Sequence, residues 1–110
     1  MIIRIFRAIV HNGRHADFKK ALEMLTLPDI KHRNGMLAFY PGQPVEPESN
    51  EFVLITVWKD SAVRKFHTST DWLKSIIPAE VLPLLQEWHD QDYKSFGVLE
   101  QPLKPLYQNL

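Results

Sequence analysis

Two segments of this chain, Ile2–Val10 and Glu51–Lys59, alternate as β-strands do, yet both alternating sets are mainly apolar. In the first segment Ile3, Ile5, Arg7 and Ile9 share one face, and Ile2, Arg4, Phe6, Ala8 and Val10 share the other. In the second, Phe52, Leu54, Thr56 and Trp58 oppose Val53, Ile55 and Val57. A sheet with one solvated face would carry polar residues in one of the two sets. These strands therefore need cover on both sides, and that requirement limits the folds open to the chain.

The rest of the chain supplies cover for one side only. Asn12-Gly13 breaks the first strand, and Phe18, Ala21, Leu22 and Leu25 recur at helical spacing over His15–Leu25. Pro28 follows, where a helix is expected to stop. A second strand is expected over Met36–Tyr40, after Asn34-Gly35, and the proline-rich run from Pro41 to Asn50 reads as a loop. Asp60-Ser61 offers an N-cap for a helix through about His67. A further helical piece starts near Ser69–Asp71 and is interrupted at Pro78, and Pro83 suits the first turn of another within Ala79–Glu87. The last strand is expected over Asp92–Leu99. The order strand, helix, strand, strand, helix, strand is that of a ferredoxin-like α+β fold, a four-stranded antiparallel sheet with helices on one face. Something else must then cover the second face, and a second copy of the chain does so most simply, so a homodimer is expected. Residues 1–100 form the domain, and Gln101–Leu110, with two prolines and no periodicity, reads as an extended tail that packs on a partner.

Composition removes several classes of function. Lys plus Arg and Asp plus Glu are both 13, giving a formal net charge of zero and no electrostatic case for nucleic-acid binding. With no cysteine there is no disulfide, thiolate metal site or cysteine nucleophile. The histidines show neither HxH nor HExxH, and no glycine-rich phosphate loop is present, so neither a metal nor a cofactor is expected. No apolar run reaches the ~20 residues of a membrane span. The N-terminus places arginines inside its apolar run, unlike a signal peptide, and a cytoplasmic setting is expected.

The run Phe52–Trp58, a polar turn, a helix carrying Phe66 and His67, and then Asp71-Trp72 resemble the antibiotic biosynthesis monooxygenase-like family over roughly Ile2 to Phe96. Asn12-Gly13, the Gly35 strand and the aromatics Tyr93 and Phe96 add to the likeness. The resemblance implies a dimeric α+β barrel. It also implies an activity among cofactor-independent oxygenases of aromatic polyketides and quinols, or haem degradation. Asp71-Trp72-Leu73-Lys74-Ser75 looks like the haem-degrading branch, which also needs a first-strand asparagine and an iron-ligating histidine beyond the tryptophan. This chain has Phe6 and Arg7 at the first position and Ala79-Glu80-Val81-Leu82 in the ligand region. Only Trp72 carries over, and the iron would have no evident axial ligand.

Within that frame Phe6, Trp58, Phe66 and Trp72 are candidate walls of an apolar pocket for a flat aromatic substrate. Trp58 and Trp72 have a packing reading beside the pocket one. His67 is the candidate acid–base group, because an imidazole exchanges protons near neutral pH, although a histidine on an amphipathic helix is often structural. Arg7 is the candidate anion-binding group; Arg4 and Arg7 otherwise call for carboxylate partners on a neighbouring strand or a second copy. Trp88 is expected to pack, His89 to lie at a strand end near the start of the last strand, and His11, His15 and His32 to be solvated. The leading expectation is a small cofactor-independent monooxygenase acting on an aromatic or quinol-type substrate in an apolar pocket between sheet and helices. The alternative is a non-catalytic dimeric protein that binds or senses an aromatic or haem-like ligand in the same pocket, and a third reading is a haem-binding relative with His67 or His89 as the iron ligand.

Overall fold

A computed structural model describes residues 1–30, 35–59 and 77–97. Four strands form one sheet: β1 (Ile2–Val10), β2 (Met36–Gly42), β3 (Glu51–Trp58) and β4 (Leu85–Lys94). Their order is β2-β3-β1-β4, with every neighbouring pair antiparallel, as in the ferredoxin-like fold. The two strands that are apolar on both faces lie at the centre, and β2 and β4 are the edges. The charges of β4 suit an edge, where they discourage pairing with other chains, and β2 carries Pro41, which has no N–H to offer a further strand.

Register assigns each residue to a face. Arg4, Phe6 and Ala8 oppose Thr56, Leu54 and Phe52, and all six are buried. Ala8 lies in register between Phe52 and Trp88, so a small side chain separates two large ones. Helix α1 (His15–Ala21) packs on this face, with the Phe18 ring edge-on to Phe52 at a centroid distance of 4.9 Å. Val10, Phe18, Leu22, Trp58, Ile77, Val81 and Leu85 complete the core. Gly13, at φ 78°, makes the turn between β1 and α1 in a region that other residues avoid.

On the other face Ile3, Ile5, Ile9, Val53, Ile55 and Val57 are only half-buried, while Tyr40 and Tyr93 are exposed. The described helices leave this apolar face to solvent.

Three boundaries differ from expectation. The first helix does not stop at Pro28: α1 runs into a π-helical turn (Leu22–Thr26) and then α2 (Leu27–Ile30). A proline in a regular helix crowds the carbonyl four residues back, and the wider turn precedes it. The last strand begins at Leu85 instead of Asp92, and only the short 3₁₀ turn Leu82–Leu84 lies where a helix over Ala79–Glu87 was expected. Strand β2 runs on to Gly42. The helices expected between β3 and Pro78 fall on residues 60–76, which, like the tail Gln101–Leu110, lie outside the described residues. No described helix is long and apolar enough to cross a membrane.

Candidate functional site

A cavity of about 300 Å³ opens between the helical layer and the end of the sheet. Lys19, Leu22, Glu23 and Leu27 line it from the helical side, Pro41, Gly42 and Phe52 from the strands, and Gln43 from the loop. The strand β2 carries Pro41 to this end because its N–H is not needed at a sheet edge. Phe52 is fixed beneath by its edge-on contact with Phe18. Leu22, Leu27, Pro41 and Phe52 give an apolar floor. Lys19 and Glu23, both exposed, bring an ammonium and a carboxylate to the rim.

A second hollow of about 280 Å³ adjoins it and shares Lys19, Gln43 and Phe52. His15, Ala16, Pro44, Glu46 and Pro47 form the rest of its wall. His15 was expected to be solvated, but it is half-buried, with Nε2 2.7 Å from the Ser49 carbonyl oxygen and its ring 5.9 Å from that of Phe52. The loop is also tied to the turn after β1, where Asn50 Nδ2 donates to Asn12 Oδ1 at 2.6 Å. Together these bonds hold the loop against the start of α1. The two hollows, which share part of their wall, form one groove beside the start of α1.

The residues singled out from the sequence are distributed differently. Phe6 and Trp58 are fully or almost fully buried in the core and do not line this groove. The Trp58 indole Nε1 donates to Thr56 Oγ1 at 2.7 Å, so its polar edge is satisfied inside. Arg7 points to the opposite face of the sheet. There it shares a separate hollow of about 320 Å³ with Ile5, His89, Gln91 and Tyr93. Arg7 and His89 are direct cross-strand partners, which places His89 in the middle of β4 instead of at a strand end. Arg7 Nη1 is 3.6 Å from Glu51 Oε1, and His89 Nε2 is 3.2 Å from Glu87 Oε2. Trp88, expected to pack, is 41% exposed. His67, Phe66 and Trp72 lie outside the described residues. Among the described residues no group of three or more His, Asp or Glu could hold a metal ion.

The ion-pair reading of the first-strand arginines applies most clearly to Arg4. Its Nε and Nη2 donate to the two carboxylate oxygens of Asp92 at 2.5 and 2.6 Å, a bidentate fork across the β1–β4 pair.

A model of the antibiotic biosynthesis monooxygenase family matches residues 1–79. The chain belongs to that family. Solved structures with the same fold include a variant of MhuD with two manganese protoporphyrin IX molecules bound per active site. That protein is 15% identical, with a TM-score of 0.69 over 92% of this chain and 100% of its own. A variant of SnoaB, a cofactor-independent oxygenase from Streptomyces nogalater, is 18% identical, with a TM-score of 0.66 over 91% of this chain and 97% of its own. PA3566 from Pseudomonas aeruginosa is 20% identical, with a TM-score of 0.62 over 87% of this chain and 94% of its own. At these identities the likeness establishes the fold. No curated protein matches the chain.

The groove residues Lys19, Leu22, Glu23, Leu27 and Pro41 were absent from the sequence-derived site. They come together only when the end of β2 folds beneath the helical segment. Pro28 was the one local signal: a proline that fails to end a helix distorts it, and helical distortions concentrate at functional sites.

Proposed function

We propose that the protein is a small cofactor-independent monooxygenase acting on an aromatic, quinol-type substrate held in the groove between α1 and the sheet. The observation that carries this reading is the cavity itself: an apolar floor of Leu22, Leu27, Pro41 and Phe52 beneath a rim bearing one cation and one carboxylate. Family membership supports it, as does the likeness in fold to a cofactor-independent oxygenase. A dihydroxyaromatic ring would lie on the apolar floor, with Lys19 favouring its phenolate form by charge. Once deprotonated, such a ring is electron-rich enough to react with oxygen directly. The ring carbon adds O₂, the peroxide takes up a proton, and loss of water leaves a new carbonyl; the substrate supplies all the electrons. The protein's part is to bind, to move one proton and to limit water. Glu23 is a proton acceptor at the rim, and His67 remains the acceptor proposed from the sequence. Phe66 and Trp72 remain proposed walls. Phe6 and Trp58 are assigned to packing behind the site, and Arg7 to the opposite face.

A homodimer through the apolar sheet face is part of the same proposal. It is supported by the half-buried Ile and Val rows and by exposed Tyr40 and Tyr93. The cytoplasmic setting expected from the sequence also belongs to it.

Oxygen consumption with 1,4-dihydroxynaphthalene and related quinols tests the reading. Uptake is expected with the native protein and should be lost when Leu22→Trp fills the cavity. Saturable binding without uptake would instead favour the binding or sensing alternative. Neither binding nor uptake across a broad quinol and phenol panel would rule out both.

A further inference from the structure

Leu22 and Leu27 face the same cavity although they are five residues apart. At 3.6 residues per turn, such residues point about 140° away from each other. They meet here because the turn between them is π-helical: the Leu27 N–H donates to the Leu22 carbonyl, five residues back. That hydrogen bond stacks the two leucines one turn apart on one side. A regular helix over the same residues would turn Leu27 away from Leu22 and remove half of the cavity's helical apolar wall.

Pro28 gives a physical cause for the wider turn. In a regular helix its ring would press on the carbonyl of Met24, and it offers no N–H to any carbonyl behind it, which together cost about 3 kcal/mol. Pro28 lies two residues past the π-turn, within α2, and its own side chain is exposed and lines neither part of the groove. Its influence on the cavity must therefore pass through the backbone.

We infer that Pro28 is a specificity-determining positioning residue, holding a π-turn that sets Leu27 beside Leu22 as a wall for a flat aromatic ligand. The inference rests on reading the groove as the ligand site. The turn makes the helical side of the groove wider than a regular helix would, with room for a planar ring to lie between the two leucines and Phe52.

The test separates the turn from the ligand. In the full-length native protein, NMR should show through-hydrogen-bond coupling from the Leu27 amide nitrogen to the Leu22 carbonyl carbon, with cross-peaks between the Leu22 and Leu27 methyls. In Pro28→Ala the coupling should move to the Glu23 carbonyl, and the methyl cross-peaks should vanish while the chain stays folded. The Kd for 1-naphthol, followed by its fluorescence, should rise at least tenfold. Leu27→Ala should weaken 1-naphthol similarly while keeping the π-turn, because it removes the wall and leaves the backbone alone. If Pro28→Ala keeps the coupling to Leu22, the proline does not hold the turn and the inference fails. If the turn becomes regular but 1-naphthol binds unchanged, the turn does not shape the site and the inference also fails. A native protein that shows the π-turn but binds no 1-naphthol overturns the specificity role, and the ligand-site reading itself falls with it when the broader quinol and phenol panel also fails to bind. That outcome is distinct from failure of the turn, which the coupling reports without any ligand.

Discussion

Replacing Asp92 with asparagine tests how the sheet tolerates a charge among its buried residues. The Arg4 side chain is 7% exposed and that of Asp92 is 41% exposed, so desolvation falls mainly on the guanidinium. Asparagine keeps one acceptor oxygen. It also removes the negative charge and sets an NH₂ donor against a guanidinium N–H, where the second fork bond had been. Removing one partner of a fully buried pair costs about 3–5 kcal/mol, and an exposed pair is worth at most about 1 kcal/mol. With water reaching the acid but hardly reaching the arginine, the expected loss is about 2 kcal/mol. For a domain of this size that lowers Tm by about 8 °C.

Urea or thermal unfolding monitored by circular dichroism would measure the loss. A single variant within about 0.5 kcal/mol of the native protein would refute the reasoning, because that is the range of an ordinary surface substitution.

Two other substitutions probe the opposite face. Ile55→Lys places a charge in the middle of the half-buried apolar face; light scattering after size exclusion should show the proposed dimer in the native protein and a monomer in the variant, with the far-ultraviolet spectrum retained, and an unchanged mass would refute the proposed interface. At Gly42 an added Cβ would lie 2.7 Å from Val53 Cγ1, so Gly42→Ala should cost about 1–3 kcal/mol in urea unfolding, with most of it recovered in Gly42→Ala/Val53→Ala.

The central strands were legible because alternation is a local property: Phe6, Leu54 and Trp58 declare their face through their neighbours two residues away. Strand β4 was not, because an edge strand reading Leu-Gln-Glu-Trp-His-Asp-Gln-Asp-Tyr-Lys meets neighbours on only one side and has no apolar alternation to display. Pro28 misled for a related reason. Its usual effect on a helix is to end it, and the chain here widens the helix instead, which no residue count announces.

The alternation that makes β3 recognisable also divides its work. Phe52 faces α1 and forms the floor of the groove, while Val53 faces the other way, against the backbone of Gly42 and within the apolar sheet face. A substitution moved by one residue along this strand therefore changes from a test of ligand binding to a test of self-association. The groove lacks any comparable signature in the sequence. Its helical wall depends on one π-turn and its opposite wall on the end of an edge strand, so changes at Leu22, Leu27 or Pro41 can reshape the ligand space while β1 and β3 keep their pairing. A scaffold built this way keeps its sheet through local pattern and varies its chemistry through long-range contact, and for that reason the fold was readable from the sequence before the cavity was.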